Sequence, residues 1–372
     1  MAGDRRGQGG GVIYLDYQAT TPLAPEAREA MLRWLDGPGG TGFGNPHSPH
    51  RMGRQAAAGV ELAREQVAAL LPPGGTVTFT SGATEAINIA LRGCEPALAG
   101  MPMAVSAIEH AAVLDTARDL AGPCHLLPVG AEGVVDPQVP LPEGLGLLAV
   151  MQVNNEIGTV QPVAELYARA RANGALFLCD AVQAAGKMLV AEADFIVISA
   201  HKLHGPKGIG ALWVRDGVPL RPLITGGGQE NGLRSGTLSP ALCAGFGAAA
   251  ELALARMEAD AAHVAALWDR ARGLLAEWEL NGSAQQRYLG NLNLRREGLD
   301  VARLMSDLRQ LCFSAGSACA SGSGRPSHVL SALGLTPAEA RSSIRLGFGR
   351  YTTMAELEEA AVLIDNAATQ QG

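Results

Sequence analysis

A carboxylate and a lysine stand at the ends of two neighbouring apolar runs in this 372-residue chain. The run ALFLCD ends in Asp180, with Gln183 three residues further on, and FIVIS leads into SAHK, which brings Ser199, His201 and Lys202 together. Alone, a strand-end aspartate is ordinarily a helix cap and a loop lysine is ordinarily solvated. Together they supply two parts of one chemistry. A lysine amine condenses with a carbonyl carbon, and a nearby carboxylate keeps a pyridine nitrogen protonated, because an opposite charge favours the charged form. A ring protonated in this way accepts the electrons left when a bound amino acid loses its α-proton. Gln183 is placed to hydrogen-bond a hydroxyl on such a ring.

The same chemistry needs an anchor for an anion, and FTSGATEA offers one. A strand ends at Thr80, Ser-Gly turns, and a helix opens near Ala83 and Thr84, where unpaired N–H groups and the helix dipole favour negative charge. The Thr84 hydroxyl, Ser199 and His201 complete a ring of donors. EHAAVLD follows another strand and places His110 at the same edge, where it can stack on a ring face and move protons, although a histidine in that position is ordinarily a cap or a surface residue. VNNEIG brings Asn154 and Asn155 to that edge as well.

These residues need a scaffold that lines up strand ends. Short apolar runs at Thr76–Thr80, Met103–Ser106, His125–Val129, Leu147–Val153, Ala175–Cys179, Phe195–Ser199 and Gly210–Val214 alternate with helical spacing at Arg54–Leu70, Ala111–Leu120 and Val163–Ala172. The alternation predicts an α/β fold with a mostly parallel sheet covered by helices, whose ligands gather beyond the carboxyl ends of the strands. From about Pro240 the pattern changes to a long alanine-rich helix through Trp278, a strand-like segment at Tyr288–Leu294, a helix at Val301–Gln310, a Gly/Ser-rich loop and a final amphipathic helix. The expected division is a large domain over residues 14–255 and a smaller α+β domain over 256–372. Residues 1–13 are expected to be disordered or attached to the smaller domain.

The formal net charge of -7 makes nucleic acid and anionic membrane poor partners. No apolar run approaches the length that spans a bilayer, and the polar MAGDRRGQGGG start is no secretory signal, so the cytoplasm is the expected location. Of the six cysteines, none forms a CxxC pair or a zinc-spaced cluster, and most are expected to be inert core thiols. Cys312, at the end of an apolar helix, fits that description. Cys319 does not: it lies in SAGSACASGSGRPS, among small residues with little to bury, on a loop expected to be mobile and able to approach a substrate.

In order along the chain, YLDYQATTPL, GNPHSPHRMGR, FTSGATEA, VNNEIGTVQPV, CDAVQAAGK, SAHKLHGPKGIG, GGGQENGLRSGT, SAGSACASGS and SSIRLGFGR resemble the cysteine desulfurases of the class V aminotransferase superfamily, from Tyr14 to Thr353. The resemblance implies pyridoxal 5'-phosphate carried on Lys202, with Asp180 at the pyridine nitrogen, Gln183 at the ring hydroxyl and His110 stacked on the ring. It implies a phosphate site built from Ala83, Thr84, Ser199 and His201, joined by Thr237 from the neighbouring subunit of a homodimer. Asn155 and Arg345 would hold the substrate carboxylate, Arg345 through a planar guanidinium suited to two parallel hydrogen bonds. Lys202, His110 and Cys319 would be the catalytic groups, converting L-cysteine to L-alanine and leaving a persulfide on Cys319 for a sulfur-acceptor protein such as an iron–sulfur cluster scaffold or a sulfur carrier. Selenocysteine lyases, cysteine-sulfinate lyases and small-substrate aminotransferases share the fold and form the alternative, against which Cys319 argues. A non-catalytic docking protein is a second alternative, against which the joint presence of Lys202, Asp180, His110 and Cys319 argues.

Overall fold

The computed structural model describes residues 11–316 and 327–371. In chain order the first elements are β1 (Ile13–Tyr14), α1 (Pro25–Leu32), α2 (Arg51–Ala68), β2 (Gly75–Thr80), α3 (Ala83–Leu98), β3 (Met103–Ser106), α4 (Ala111–Arg118) and β4 (Cys124–Leu127). There follow β5 (Leu147–Ala149), α5 (Val163–Ala172), β6 (Leu176–Asp180), β7 (Phe195–Ser199) and β8 (Gly210–Arg215). The remainder comprises α6 (Pro240–Leu274), β9 (Glu279–Leu280), β10 (Asn291–Arg295), α7 (Val301–Asp307), β11 (Leu311–Cys312), β12 (Ser314–Ala315), α8 (His328–Ala332), α9 (Pro337–Arg341), β13 (Ser343–Gly347) and α10 (Met354–Thr369).

Strands β2 to β8 form one seven-stranded sheet in the order β2-β8-β7-β6-β5-β3-β4. Only β8 runs against the others, pairing antiparallel with both β2 and β7. The carboxyl ends of β2, β3, β5, β6 and β7 therefore share one edge, and the chain segments that follow them emerge side by side. All five residues of β7, FIVIS, are buried, as expected of a strand covered on both faces. Each such Val, Ile or Phe contributes roughly 1.5–3 kcal/mol when fully buried. The expected strand Leu147–Val153 is shorter than its sequence pattern, yet Val150 and Gln152 still donate N–H bonds to the carbonyls of Leu178 and Asp180, so the chain stays alongside β6 up to the site.

A four-stranded sheet, β12-β13-β10-β9, lies in the C-terminal part of the chain, whose core gathers Trp278, Leu292, Leu294, Ile344, Leu346 and Phe348. Ile13 and Leu15 join that same core, because β1 pairs in parallel with β11 about 300 residues away. Helix α6, 35 residues and roughly 50 Å long, buries Phe246, Ala249 and Ala253 in the core beneath the large sheet and Leu267 and Ala271 in the C-terminal core. Ser239 caps it by accepting a hydrogen bond from the Leu242 N–H, and Pro240 sits in its first turn, where no N–H is needed. Cys312 corrects one sequence expectation. The helix ends at Asp307, and Cys312 lies on β11 opposite Tyr14, half-buried.

Candidate active site

A cleft of about 580 Å³ opens at the shared strand edge. This lies within the range of roughly 300–1,000 Å³ typical of small-molecule sites. The structure brings Ala83, Thr84, His110, Asn155, Asp180, Gln183, Ser199, His201, Lys202 and Arg345 into its lining. Thr237 is exposed and lies outside it. Cys319 lies outside the described residues, and with it the expectation of a mobile loop around it.

Asp180 closes β6 and is only 5% exposed. Its Oδ1 accepts a hydrogen bond from the Val182 N–H at 2.9 Å. Burial pushes its carboxyl above the usual carboxylate range, opposed by that hydrogen bond and by the charges of His110 and Lys202. A cation arriving beside this carboxylate from the cleft would restore its ionisation. Behind it lies a second buried carboxyl, Glu109, which accepts hydrogen bonds from the Ser106 hydroxyl at 2.5 Å and the Met151 N–H at 2.7 Å. Burial, with a smaller push from Asp180, takes Glu109 up to about 8. At neutral pH Glu109 is therefore largely protonated.

Lys202 ends a short 3-10 turn, Ala200–Lys202, immediately after β7. Its Nζ donates to the backbone carbonyls of Gln18 and Ala19, the latter at 2.9 Å. The Gln18 carbonyl also accepts from Gln183 Nε2 at 3.0 Å, so one peptide group of the N-terminal segment holds two cleft residues. Gln18 is itself buried and donates through its side chain to the Gly290 carbonyl at 2.8 Å. Nothing in the spacing of YLDYQATTPL shows this contact, since the partners are more than 160 residues apart.

The anion cradle is built from two edges. Helix α3 begins at Ala83, so the N–H groups of its first turn have no intrahelical acceptor. Strand β8 comes so close to this turn that a Cβ on Gly210 would stand 2.8 Å from the Gly82 backbone, and only glycine fits there. The His201 ring nitrogen Nδ1 meets the Thr20 hydroxyl at 3.1 Å, and burial with the charges of Lys202, Lys207 and Lys187 pulls His201 down to about 4. At neutral pH it is an uncharged imidazole able to donate one hydrogen bond.

His110 does two things at once. Its Nδ1 caps α4 by accepting the Ala112 N–H at 3.1 Å, which leaves the ring and Nε2 to line the cleft. Of the two asparagines expected at this edge, Asn154 is fully buried and braces the turn, donating to the Ile108 carbonyl and accepting from the N–H groups of Glu156 and Ile157. Asn155 alone lines the cleft.

Arg345, on β13, is 1% exposed. Its NH1 donates to the Asn155 carbonyl at 3.0 Å, while NH2 donates to Asp16 Oδ1 at 2.7 Å and to the Ser314 hydroxyl at 3.2 Å. Its Nε is buried without a partner. Asp16 was not among the residues singled out from the sequence, although it stands in the YLDYQATTPL motif. It occupies the guanidinium with a carboxylate of the protein's own. The thiols of Cys94 and Cys243 are buried and pushed up to about 12 by that burial, so they stay protonated and out of the chemistry.

Known proteins are similar to this chain in sequence and fold. The chain is 42% identical to "Cysteine desulfurase IscS" of Rickettsia felis over 95% of its own length and 90% of the relative's, and 41% identical to the protein of that name from Rickettsia bellii with the same coverage. Among solved structures, a "NIFS-LIKE PROTEIN" superposes with a TM-score of 0.88 at 31% identity, over 96% of this chain and 99% of the other. DndA from Streptomyces lividans superposes with a TM-score of 0.76 at 35% identity, over 89% and 98%. The aminotransferase class-V family model matches residues 13–359, and the chain belongs to that family.

Proposed function

We propose that this protein converts L-cysteine to L-alanine, using pyridoxal 5'-phosphate attached to Lys202 and passing the sulfur to Cys319 as a persulfide. The observation that carries the reading is the convergence of Asp180, Lys202, His110 and Arg345 on one cleft, each from a different element. The residues fit the cofactor. Asp180 is a buried carboxylate awaiting a cation, Lys202 is an amine held at the cleft by two carbonyls, and the first turn of α3 with Thr84, Ser199 and His201 suits a phosphate. When bound, pyridoxal 5'-phosphate supplies an aldehyde that bonds to amines and a ring that stores an electron pair from the substrate α-carbon.

The chain's own groups do the rest. Arg345 and Asn155 orient L-cysteine by its carboxylate, and in doing so Arg345 exchanges Asp16 for the substrate. Lys202 Nζ, once the substrate amine has replaced it, stays close by on the Gln18 and Ala19 carbonyls and takes the α-proton. His110, its Nδ1 fixed by α4, presents Nε2 for proton movements on the ring face. The Cys319 thiolate attacks the substrate sulfur; the carbon–sulfur bond breaks with its electron pair left on carbon, one proton is delivered to Cβ, and return of the α-proton to the α-carbon completes alanine. A sulfur-acceptor protein, a cluster scaffold or sulfur carrier, then collects the persulfide sulfur. The functional unit is a homodimer in which Thr237, exposed and outside its own cleft, reaches the partner's phosphate site. Among the described residues no helix is long and apolar enough to cross a membrane.

The test is to incubate purified, cofactor-loaded protein with L-cysteine and quantify alanine together with protein persulfide in the first turnover. Equal amounts of both are expected. Alanine formed with no protein-bound sulfur would overturn the sulfur-transfer step.

A further inference from the structure

Lys187 lies four residues beyond Gln183 in CDAVQAAGK, in a turn that Gly186 permits with a φ of +74°. Its Nζ donates to Gln183 Oε1 at 3.0 Å and lies 5.1 Å from the centre of the Tyr288 ring. On the opposite side of the same amide, Gln183 Nε2 donates to the Gln18 carbonyl at 3.0 Å. A backbone carbonyl only accepts, so the amide end facing Gln18 is the nitrogen, and Oε1 necessarily faces Lys187. Turning the amide over would set oxygen against the Gln18 carbonyl, losing that bond, and the NH₂ group against the Lys187 amine, which cannot accept while it carries its extra proton. The second N–H of Nε2 remains, on a side chain that lines the cleft.

We infer that Lys187 is a positioning residue: it locks the Gln183 amide with its nitrogen toward the cleft, so that Gln183 presents a hydrogen-bond donor, never an acceptor, to the ring oxygen of the bound cofactor. The inference rests on the reading that pyridoxal 5'-phosphate occupies this cleft. Around Lys187 the small cavity beneath the site also carries Lys202, His204, Asp260, Tyr288 and Arg350. Burial, with a further push from Lys202, pulls Lys187 down to about 7, which fits an amine enclosed between the two sides of this cavity. The amine donates to Oε1 whether or not it carries the extra proton.

The experiment uses the cofactor-loaded enzyme without substrate and reads the pH midpoint of its visible absorbance. A donor on the ring oxygen favours the deprotonated chromophore. Lys187→Met removes the lock, and the midpoint should rise by roughly 0.5–1 pH unit, the size that losing one neutral hydrogen bond produces. Losing a nearby positive charge would raise the midpoint too, so the same substitution is made in a Gln183→Ala background. Little or no further shift is expected there. An unmoved midpoint in Lys187→Met, or an equal shift in both backgrounds, overturns the role. Lys187→Ala carries the same expectation if the methionine does not pack. A wild-type protein that forms no bound chromophore would instead defeat the cofactor reading itself.

Discussion

Arg345→Met isolates the recognition of the substrate carboxylate. In the free protein the guanidinium is held by Asp16, Ser314 and the Asn155 carbonyl, and Asp16 is the group that the substrate carboxylate must replace. Two parallel charge-assisted hydrogen bonds to the substrate are worth ~3–6 kcal/mol. The resting pair with Asp16, whose side chain is 20% exposed, returns about 1 kcal/mol of that. The net loss of ~2–5 kcal/mol corresponds to a fall in kcat/KM of about 30-fold to several thousandfold. Methionine fills most of the buried volume, and Asp16 keeps the Ser314 hydroxyl at 2.9 Å, so the variant should fold. The assay is steady-state alanine production from L-cysteine, with cysteamine, which lacks the carboxylate, as a competitive ligand. Affinity for cysteamine should change little while kcat/KM for cysteine collapses. A fall of less than about threefold, or an equal weakening of both ligands, would refute the assignment of Arg345 to the carboxylate.

Three further outcomes are expected. Lys202→Ala should abolish borohydride fixation of the cofactor to the polypeptide; fixation persisting at wild-type yield would remove Lys202 from its role. Arg64→Met should destabilise the protein by ~3–5 kcal/mol in chemical denaturation, because Glu230, with a side chain 1% exposed, accepts two Arg64 bonds at 2.7 Å and would be left as a buried charge with the Phe79 N–H; a loss under 1 kcal/mol would contradict this. His204 donates to the Pro22 carbonyl at 2.9 Å and burial pulls it down to about 4, so between pH 6.5 and 4 the unfolded chain binds the proton that the folded one refuses. Stability should therefore fall through that window, and less steeply in His204→Asn; parallel pH curves would show that His204 contributes nothing to it.

Much of the site was legible because the sheet is mostly parallel and buried. Runs such as FIVIS announce strands by their apolar residues alone, and the first polar residues after them, Asp180, Ser199 and Lys202, must then fall at one edge. The contacts that hold those residues were not legible. Gln18 meets Gln183 and Lys202, and Asp16 meets Arg345, only because the N-terminal segment pairs with β11 and passes beside the cleft. No local periodicity records a pairing across some 300 residues. The sequence sets Cys312 at a helix end for a related reason: a two-residue strand is too short to show alternation, so the apolar pattern of the preceding helix runs on into it. Glu109 and Lys187 stand inside the recognised motifs EHAAVLD and CDAVQAAGK, yet their importance comes from burial that a motif does not display.

The central claim is that sulfur leaves L-cysteine by way of Cys319. The direct measurement is alanine release and cofactor absorbance in Cys319→Ala supplied with L-cysteine. The account expects an unchanged resting spectrum, a normal spectral response to substrate, and no alanine or persulfide above background. Alanine release near the wild-type rate would contradict it and place this protein among the lyases that need no thiol.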